Sequence, residues 1–67
     1  MEEYQERVIE ERSVLGRKID KLGEFLVVNA GNDAVSKFEK ELMVLQRYVM
    51  MQYSALLEER IGCWGEE

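Results

Sequence analysis

The chain has 67 residues, 46% of them hydrophobic and 34% charged, and its 14 acidic side chains against nine basic ones leave a net charge of −5. The length allows one domain, and this composition favours a folded protein over a disordered one. The negative charge argues against binding to DNA, RNA or an anionic membrane surface, and no apolar run is long enough for a transmembrane helix.

The first predicted element is a helix from about residue 3 to residue 28. Its apolar residues alternate in steps of three and four, as in a coiled coil. They are Val8, Leu15, Ile19, Leu22 and Leu26, with Arg12 in the gap. Gly16 and Gly23 lie one heptad apart on one edge. Glycine inside a helix costs ~1 kcal/mol relative to alanine. Either a neighbouring subunit's helix approaches the backbone there, or both are tolerated surface positions.

A turn over residues 29–33 is predicted next. The segment Asn29-Ala30-Gly31-Asn32-Asp33 holds residue types that end one helix and begin another. Asn32, Asp33 and Ser36 are all candidate N-caps, and Ser36 forms a capping-box pattern with Glu39. The sequence does not separate these three. The second helix is predicted from about residue 34 to residue 62, with a short tail over residues 63–67.

The second helix is apolar on nearly all sides between Leu42 and Leu57. Its predicted seam is Val35, Phe38, Leu42, Leu45, Val49 and Leu56, with Gln52 in the gap. Folding the chain so that paired residue numbers sum to about 64 stacks the two seams in coiled-coil fashion. The same register puts Arg12 opposite Gln52, so both polar interruptions fall in one layer. This coincidence predicts an antiparallel hairpin.

The second helix carries more apolar surface than one partner helix can cover. Domains this small often depend on disulfides, metals or oligomerisation. Cys63 is the only cysteine and histidine is absent, which excludes an intrachain disulfide and argues against a metal site. The predicted fold is therefore an all-α, antiparallel two-helix hairpin that assembles into a homo-oligomeric helical bundle. The predicted interface residues are Met43, Val44, Met50, Met51 and Leu57.

The sequence contains few of the residue types and combinations that catalysis requires. The commonest general base, histidine, is missing, and the serines and Cys63 have no evident base partner. We therefore expect no enzymatic activity, no cofactor and no metal. A single unpaired cysteine, with no secretory signal, is typical of a reducing cytoplasm.

Five basic or aromatic residues are candidates for ligand binding. Arginine offers paired donors to phosphate or carboxylate, and tyrosine offers a face for stacking. At a subunit interface they would line a pocket for a small anionic nucleotide. They are Arg12, Arg47, Tyr48, Tyr53 and Arg60. For Arg12 we favour the alternative that it bonds Gln52 or a partner's glutamate and sets the register.

Several short segments of the chain form a recognisable pattern. In the first half these are Tyr4-Gln5-Glu6-Arg7-Val8, Leu15, Lys18-Ile19, Lys21-Leu22 and Phe25. In the second half they are Glu41-Leu42, Leu45-Gln46, Met50, Tyr53-Ser54, Leu57 and Glu59-Arg60-Ile61. Together these segments resemble a family of very small phage proteins named after a member in a crAss-like phage. The short Asn/Gly/Asp turn departs from the family's more variable linker. The resemblance implies a phage origin and activity in the host bacterial cytoplasm, and it transfers no catalytic residues.

A phage origin and sparse catalytic equipment together predict a binding protein. We expect a homo-oligomer that sequesters a host nucleotide immune signal between its subunits and so evades anti-phage defence, a nucleotide sponge. Two alternatives stay open. One is an inhibitor or adaptor that binds a host or phage protein through the methionine-rich face. The other is a small structural or assembly factor.

Overall fold

The computed structural model describes residues 1–65, so the end of the predicted tail, residues 66–67, lies outside the described residues. Two helices, α1 (Glu3–Val28) and α2 (Lys37–Gly62), each have 26 residues. They pack along each other as a hairpin 51 Å long, and the described part of the chain contains no strand. The fold is all-α, as predicted.

The ends of α1 are fixed by local hydrogen bonds. The backbone N–H of Glu2 donates to Oε1 of Gln5 at 3.0 Å, one half of a capping box. Glu3 and Glu6 place negative charge in the first turn, where the helix dipole favours it. At the other end, Nδ2 of Asn29 donates to the carbonyl oxygen of Phe25 at 3.0 Å. The same carbonyl oxygen accepts from the backbone N–H of Asn29 at 2.9 Å, so Asn29 binds the last turn of α1 through both its backbone and its side chain.

Of the three candidate N-caps for α2, Ser36 caps the helix. Its hydroxyl oxygen accepts from the backbone N–H of Glu39 at 3.0 Å. Asn32 instead shapes the turn, because its side-chain oxygen accepts from the backbone N–H of Ala34 at 3.0 Å. Such a bond competes with helix formation. The helix consequently begins at Lys37, later than the predicted start near residue 34.

The core of the hairpin is small and lies toward its open end. Val8, Leu15 and Ile19 of α1 are buried against Leu57, with Met50, Ile61 and Trp64 packed around them. The α1 seam predicted from the sequence therefore faces α2, as expected. Tyr4 and Trp64 close the open end, with ring centroids 6.2 Å apart in an edge-to-face contact.

The predicted inner face of α2 is wrong. Five of its residues are exposed, and we call them the outer stripe: Phe38, Leu42, Leu45, Val49 and Leu56. The face toward α1 is offset from it by one residue and also follows heptad spacing: Met43, Arg47, Met50, Ser54, Leu57, Ile61 and Trp64. Periodicity cannot choose between two stripes with the same spacing. The structure uses the second stripe because its Leu57 and Ile61 pack with Val8, and Trp64, just beyond the end of α2, contacts Tyr4.

This rotation of α2 changes the roles of other predicted residues. Arg12 does not face Gln52, because its Nε lies 3.7 Å from a carboxylate oxygen of Glu58. Leu57, assigned from the sequence to a subunit interface, is instead fully buried within the hairpin. Met43 and Met50 are half-buried on the inner face, whereas Val44 and Met51 are exposed.

Candidate functional site

The five predicted ligand residues lie in three places. Arg47 and Tyr48 line one groove together on one edge of the hairpin. Tyr53 contacts Glu11 on the opposite edge, and Arg60 is near enough to Tyr53 to influence its pKa. Arg12 is paired with Glu58. The single hairpin therefore does not bring these residues into one pocket.

Arg47 crosses the interface between the helices. Its Nε donates to the carbonyl oxygen of Ile19 at 3.1 Å, and its Nη1 lies 3.7 Å from the sulfur of Met51. It passes over Gly23, where an added Cβ would lie 2.8 Å from Nε. The close approach anticipated at the glycines is thus made at Gly23, but by an arginine of the same chain. At Gly16, no atom of residues 1–65 outside the glycine's own stretch of helix lies within 4 Å of an added Cβ.

The surroundings of Arg47 are poorly suited to an anion. Its guanidinium already donates to a backbone carbonyl, and the adjacent cavity is lined by Asp20 and Glu24. Two carboxylates beside one arginine compete with any phosphate for its charge. The more direct role of Arg47 in this hairpin is to join α1 to α2.

Tyr53 and Glu11 are joined by a hydrogen bond in which the phenol donates to the carboxylate. This bond, with a smaller effect of desolvation, raises the pKa of Tyr53, while the nearby charge of Arg60 acts in the opposite direction. Tyr53 and Glu11 line a groove with Val14, Leu15 and Lys18. The phenol is therefore held against α1, which leaves its ring as a wall of the groove.

A second groove on this edge was missed by the sequence analysis, and we call it the lysine groove. It has a volume of about 410 Å³ and is lined by Lys18, Lys21, Leu22, Phe25, Met43, Gln46 and Met50. The signal was present in the sequence, because Lys18, Lys21 and Phe25 are spaced by three and four and so share one face of α1. It was overlooked because lysines on a helix are usually solvated.

The lysine groove combines the chemical groups that a nucleotide needs. Two ammonium groups can bind phosphate as point charges, and the half-exposed ring of Phe25 offers a stacking face. The amide of Gln46 can donate and accept hydrogen bonds at a base edge. The methionines give an adaptable apolar floor. Within residues 1–65, no acidic side chain lines this groove, in contrast to the cavity beside Arg47.

The lysine groove continues along the hairpin and borders the outer stripe. Lys18 lines both this groove and the groove beside Tyr53 and Glu11, so the two grooves are neighbours on one edge. Gln46 follows Leu42 by four residues and precedes Val49 by three, so it lies beside the outer stripe as well. Tyr53 has the same relation to Val49 and Leu56. The outer stripe and the two grooves therefore share a border along Gln46 and Tyr53.

Comparison with known proteins relates the chain to a described family. The model of a family described as Sequestin matches residues 2–62. No curated protein and no solved structure matches the chain. The family's name suggests a sequestering role, that of a binding protein rather than an enzyme. Neither helix in residues 1–65 is long and apolar enough to cross a membrane.

Proposed function

The chain belongs to the Sequestin family, and from that premise we propose that it is a non-enzymatic protein that sequesters a small nucleotide signal between copies of itself. In this proposal, which the resemblance to small phage proteins supports, the protein acts in the cytoplasm of an infected bacterium. There the captured molecule would be a signal of host immunity, and its removal would protect the phage.

The lysine groove is the observation that carries this proposal. Lys18 and Lys21 form no ion pair with a carboxylate of residues 1–65, so both charges are available to an incoming anion. Phe25 is 38% exposed, which leaves part of its ring free for a base. Charge, stacking surface and a polar amide within one groove match a phosphorylated nucleoside better than a peptide or a lipid.

Sequestration differs from transport or catalysis in what it demands of a site. The ligand must be held tightly and released slowly, which requires enclosure and good packing rather than reactive groups. The lysine groove supplies the contacts but is open to solvent on a single hairpin. A second copy of the chain would cover the open side of the groove, and the ligand would then lie between subunits. Of the residues predicted from sequence, Tyr53 and Arg60 lie on this same edge.

Calorimetry tests the proposal directly. The protein is titrated with a panel of cyclic oligonucleotides and cyclic ADP-ribose isomers, and we expect at least one to bind. Lys21→Ala should weaken that binding roughly ten- to a hundredfold, because a hydrogen bond to a charged group is worth ~1.5–3 kcal/mol. Lys37→Ala is the matched control, since Lys37 is exposed at the start of α2 and does not line the groove. Silence across the panel from correctly assembled protein would contradict the proposal.

The exposed apolar outer stripe favours a second candidate function. A helix that presents Phe38, Leu42 and Leu45 to solvent resembles the ligand of a helix-binding groove on another protein. In that case the chain would inhibit or adapt a host or phage protein. A stoichiometric partner recovered from infected cells, whose binding is lost in Leu42→Glu and retained in Lys21→Ala, would favour this function over nucleotide capture.

A further inference from the structure

We propose that the outer stripe of α2 packs against the outer stripe of a second copy of this chain. The pairing itself is independent of the proposed function. Only the role of the second copy in enclosing the lysine groove rests on that function. The spacing of the stripe, its lack of charge and its position beside the groove all favour a second copy as its partner.

The spacing of the outer stripe is that of a coiled-coil seam. From Phe38 to Leu56 its members alternate in steps of four and three, with Gln52 as the single polar position. The five apolar side chains are 49–68% exposed. They run along about 27 Å of helix at the usual rise of ~1.5 Å per residue. A straight apolar seam of this length is self-complementary across a two-fold axis, where each copy presents the same surface to the other.

Charge distinguishes the stripe from the rest of the surface. The chain carries 14 acidic side chains and a net charge of −5, so identical copies repel one another over most contacts. Residues 42–57 contain no acidic residue, and their one base, Arg47, lies on the inner face. The edges of the stripe carry Gln46 and Tyr53 on one side and Tyr48 and Ala55 on the other. Two copies can therefore meet on this stretch without opposing like charges.

The position of the stripe gives the second copy a role. Gln46 lines the lysine groove, and Tyr53 lines the neighbouring groove. Both side chains border the outer stripe. A helix from a second copy that packs on Leu42, Val49 and Leu56 would stand beside these two residues and cover the solvent side of both grooves. A two-fold pair would then hold two enclosed sites.

Sedimentation velocity in the absence of nucleotide tests this pairing. Leu45→Glu should leave a folded, helical hairpin that sediments as a monomer, because Leu45 is exposed in the single chain and a charge in an apolar seam is costly. Val28→Glu, which also places an acid at an exposed apolar position but off the stripe, should assemble as the wild type does. Assembly of Leu45→Glu at wild-type strength, or dissociation of Val28→Glu, would overturn the inference.

Cross-linking gives a second test that does not depend on the folding of a charged variant. In a Cys63→Ser background, Leu45→Cys with Val49→Cys should form covalent dimers on mild oxidation, because both positions lie in the seam. Cysteines at Val27 and Val28, exposed on α1, should not. Absence of seam-linked dimers would contradict the pairing. Pairing without nucleotide binding would instead leave this inference standing and remove the proposed function.

Discussion

Arg47 and Gly23 are matched across the hairpin. An added Cβ at residue 23 would lie 2.8 Å from Nε of Arg47. With glycine at this position, Nε donates to the carbonyl oxygen of Ile19 at 3.1 Å. A glycine in the middle of a helix is unfavourable on its own. Here the missing side chain leaves room for Arg47 of α2 to bind the backbone of α1. The two glycines of α1 therefore have different roles, which substitution can separate.

The first prediction compares alanine at the two glycines. Gly16→Ala should stabilise the hairpin by about 1 kcal/mol, since it gains helix propensity and, beyond its own stretch of helix, meets no atom of residues 1–65 within 4 Å. Gly23→Ala gains the same propensity but displaces Arg47 and its hydrogen bond, worth ~1 kcal/mol, so its net effect should be near zero. Urea denaturation followed by circular dichroism measures both. Equal stabilisation by the two variants would show that the Arg47 bond contributes nothing.

The second prediction uses two neighbouring leucines with opposite environments. Leu57 is fully buried and Leu56 is 59% exposed. Leu57→Ala should lower the free energy of unfolding by ~2–5 kcal/mol, enough to melt so small a core. Leu56→Ala should leave the folded hairpin intact and weaken only its assembly. Thermal melts at several protein concentrations distinguish the two effects. A reversed order of stability would show that α2 presents its other face to α1.

The third prediction concerns pH. The pKa of Tyr53 is raised above its ordinary value of 10.0 mainly by the hydrogen bond to Glu11, so the protonated phenol stabilises the fold. That contribution is complete below pH 10.0 and is lost as the pH rises through the pKa in the folded state. Tyr53→Phe should therefore remove part of the alkaline loss of stability, while Tyr48→Phe should not. Unfolding free energies measured on both sides of pH 10.0 provide the comparison.

The fourth prediction concerns the pair between Arg12 and Glu58. Their side chains are 46% and 59% exposed and 3.7 Å apart, which is typical of a weak surface pair. Arg12→Leu should change the unfolding free energy by no more than about 0.5 kcal/mol. If the same variant loses nucleotide binding in calorimetry, Arg12 contacts the ligand. A loss of several kcal/mol in stability would show that Arg12 has a structural partner other than Glu58.

The sequence predicted the features of this fold that depend on neighbouring residues. The two helices, their antiparallel pairing and the inner seam of α1 follow from local periodicity and the turn residues. The start of α2 did not, because Asn32 and Ser36 are both capable N-caps. Only the bond from Asn32 to Ala34 in the turn and the bond from Ser36 to Glu39 in the helix show which role each residue takes.

The face of α2 could not be predicted, for a physical reason. Leu42, Leu45 and Val49 form a better apolar seam than Met43, Arg47 and Met50, so the sequence favoured the former. The hairpin uses the latter because α1 is matched to it through Gly23, Val8 and Tyr4. The lysine groove depends on this rotation, since Gln46 and Met50 reach Lys18 and Phe25 only when Leu57 points inward. A site formed by two helices cannot be predicted until the faces on which they pack against each other are known.

This hairpin leaves Leu42, Leu45 and Val49 exposed, and we propose that further copies of the chain cover them. Sedimentation equilibrium of the wild-type protein across a wide range of concentrations measures whether they do. We expect a mass that is a multiple of 7.9 kDa and falls toward 7.9 kDa only on dilution. A compact, helical species of 7.9 kDa at every concentration would contradict it, because Leu42, Leu45 and Val49 would then remain in water in the working form of the protein.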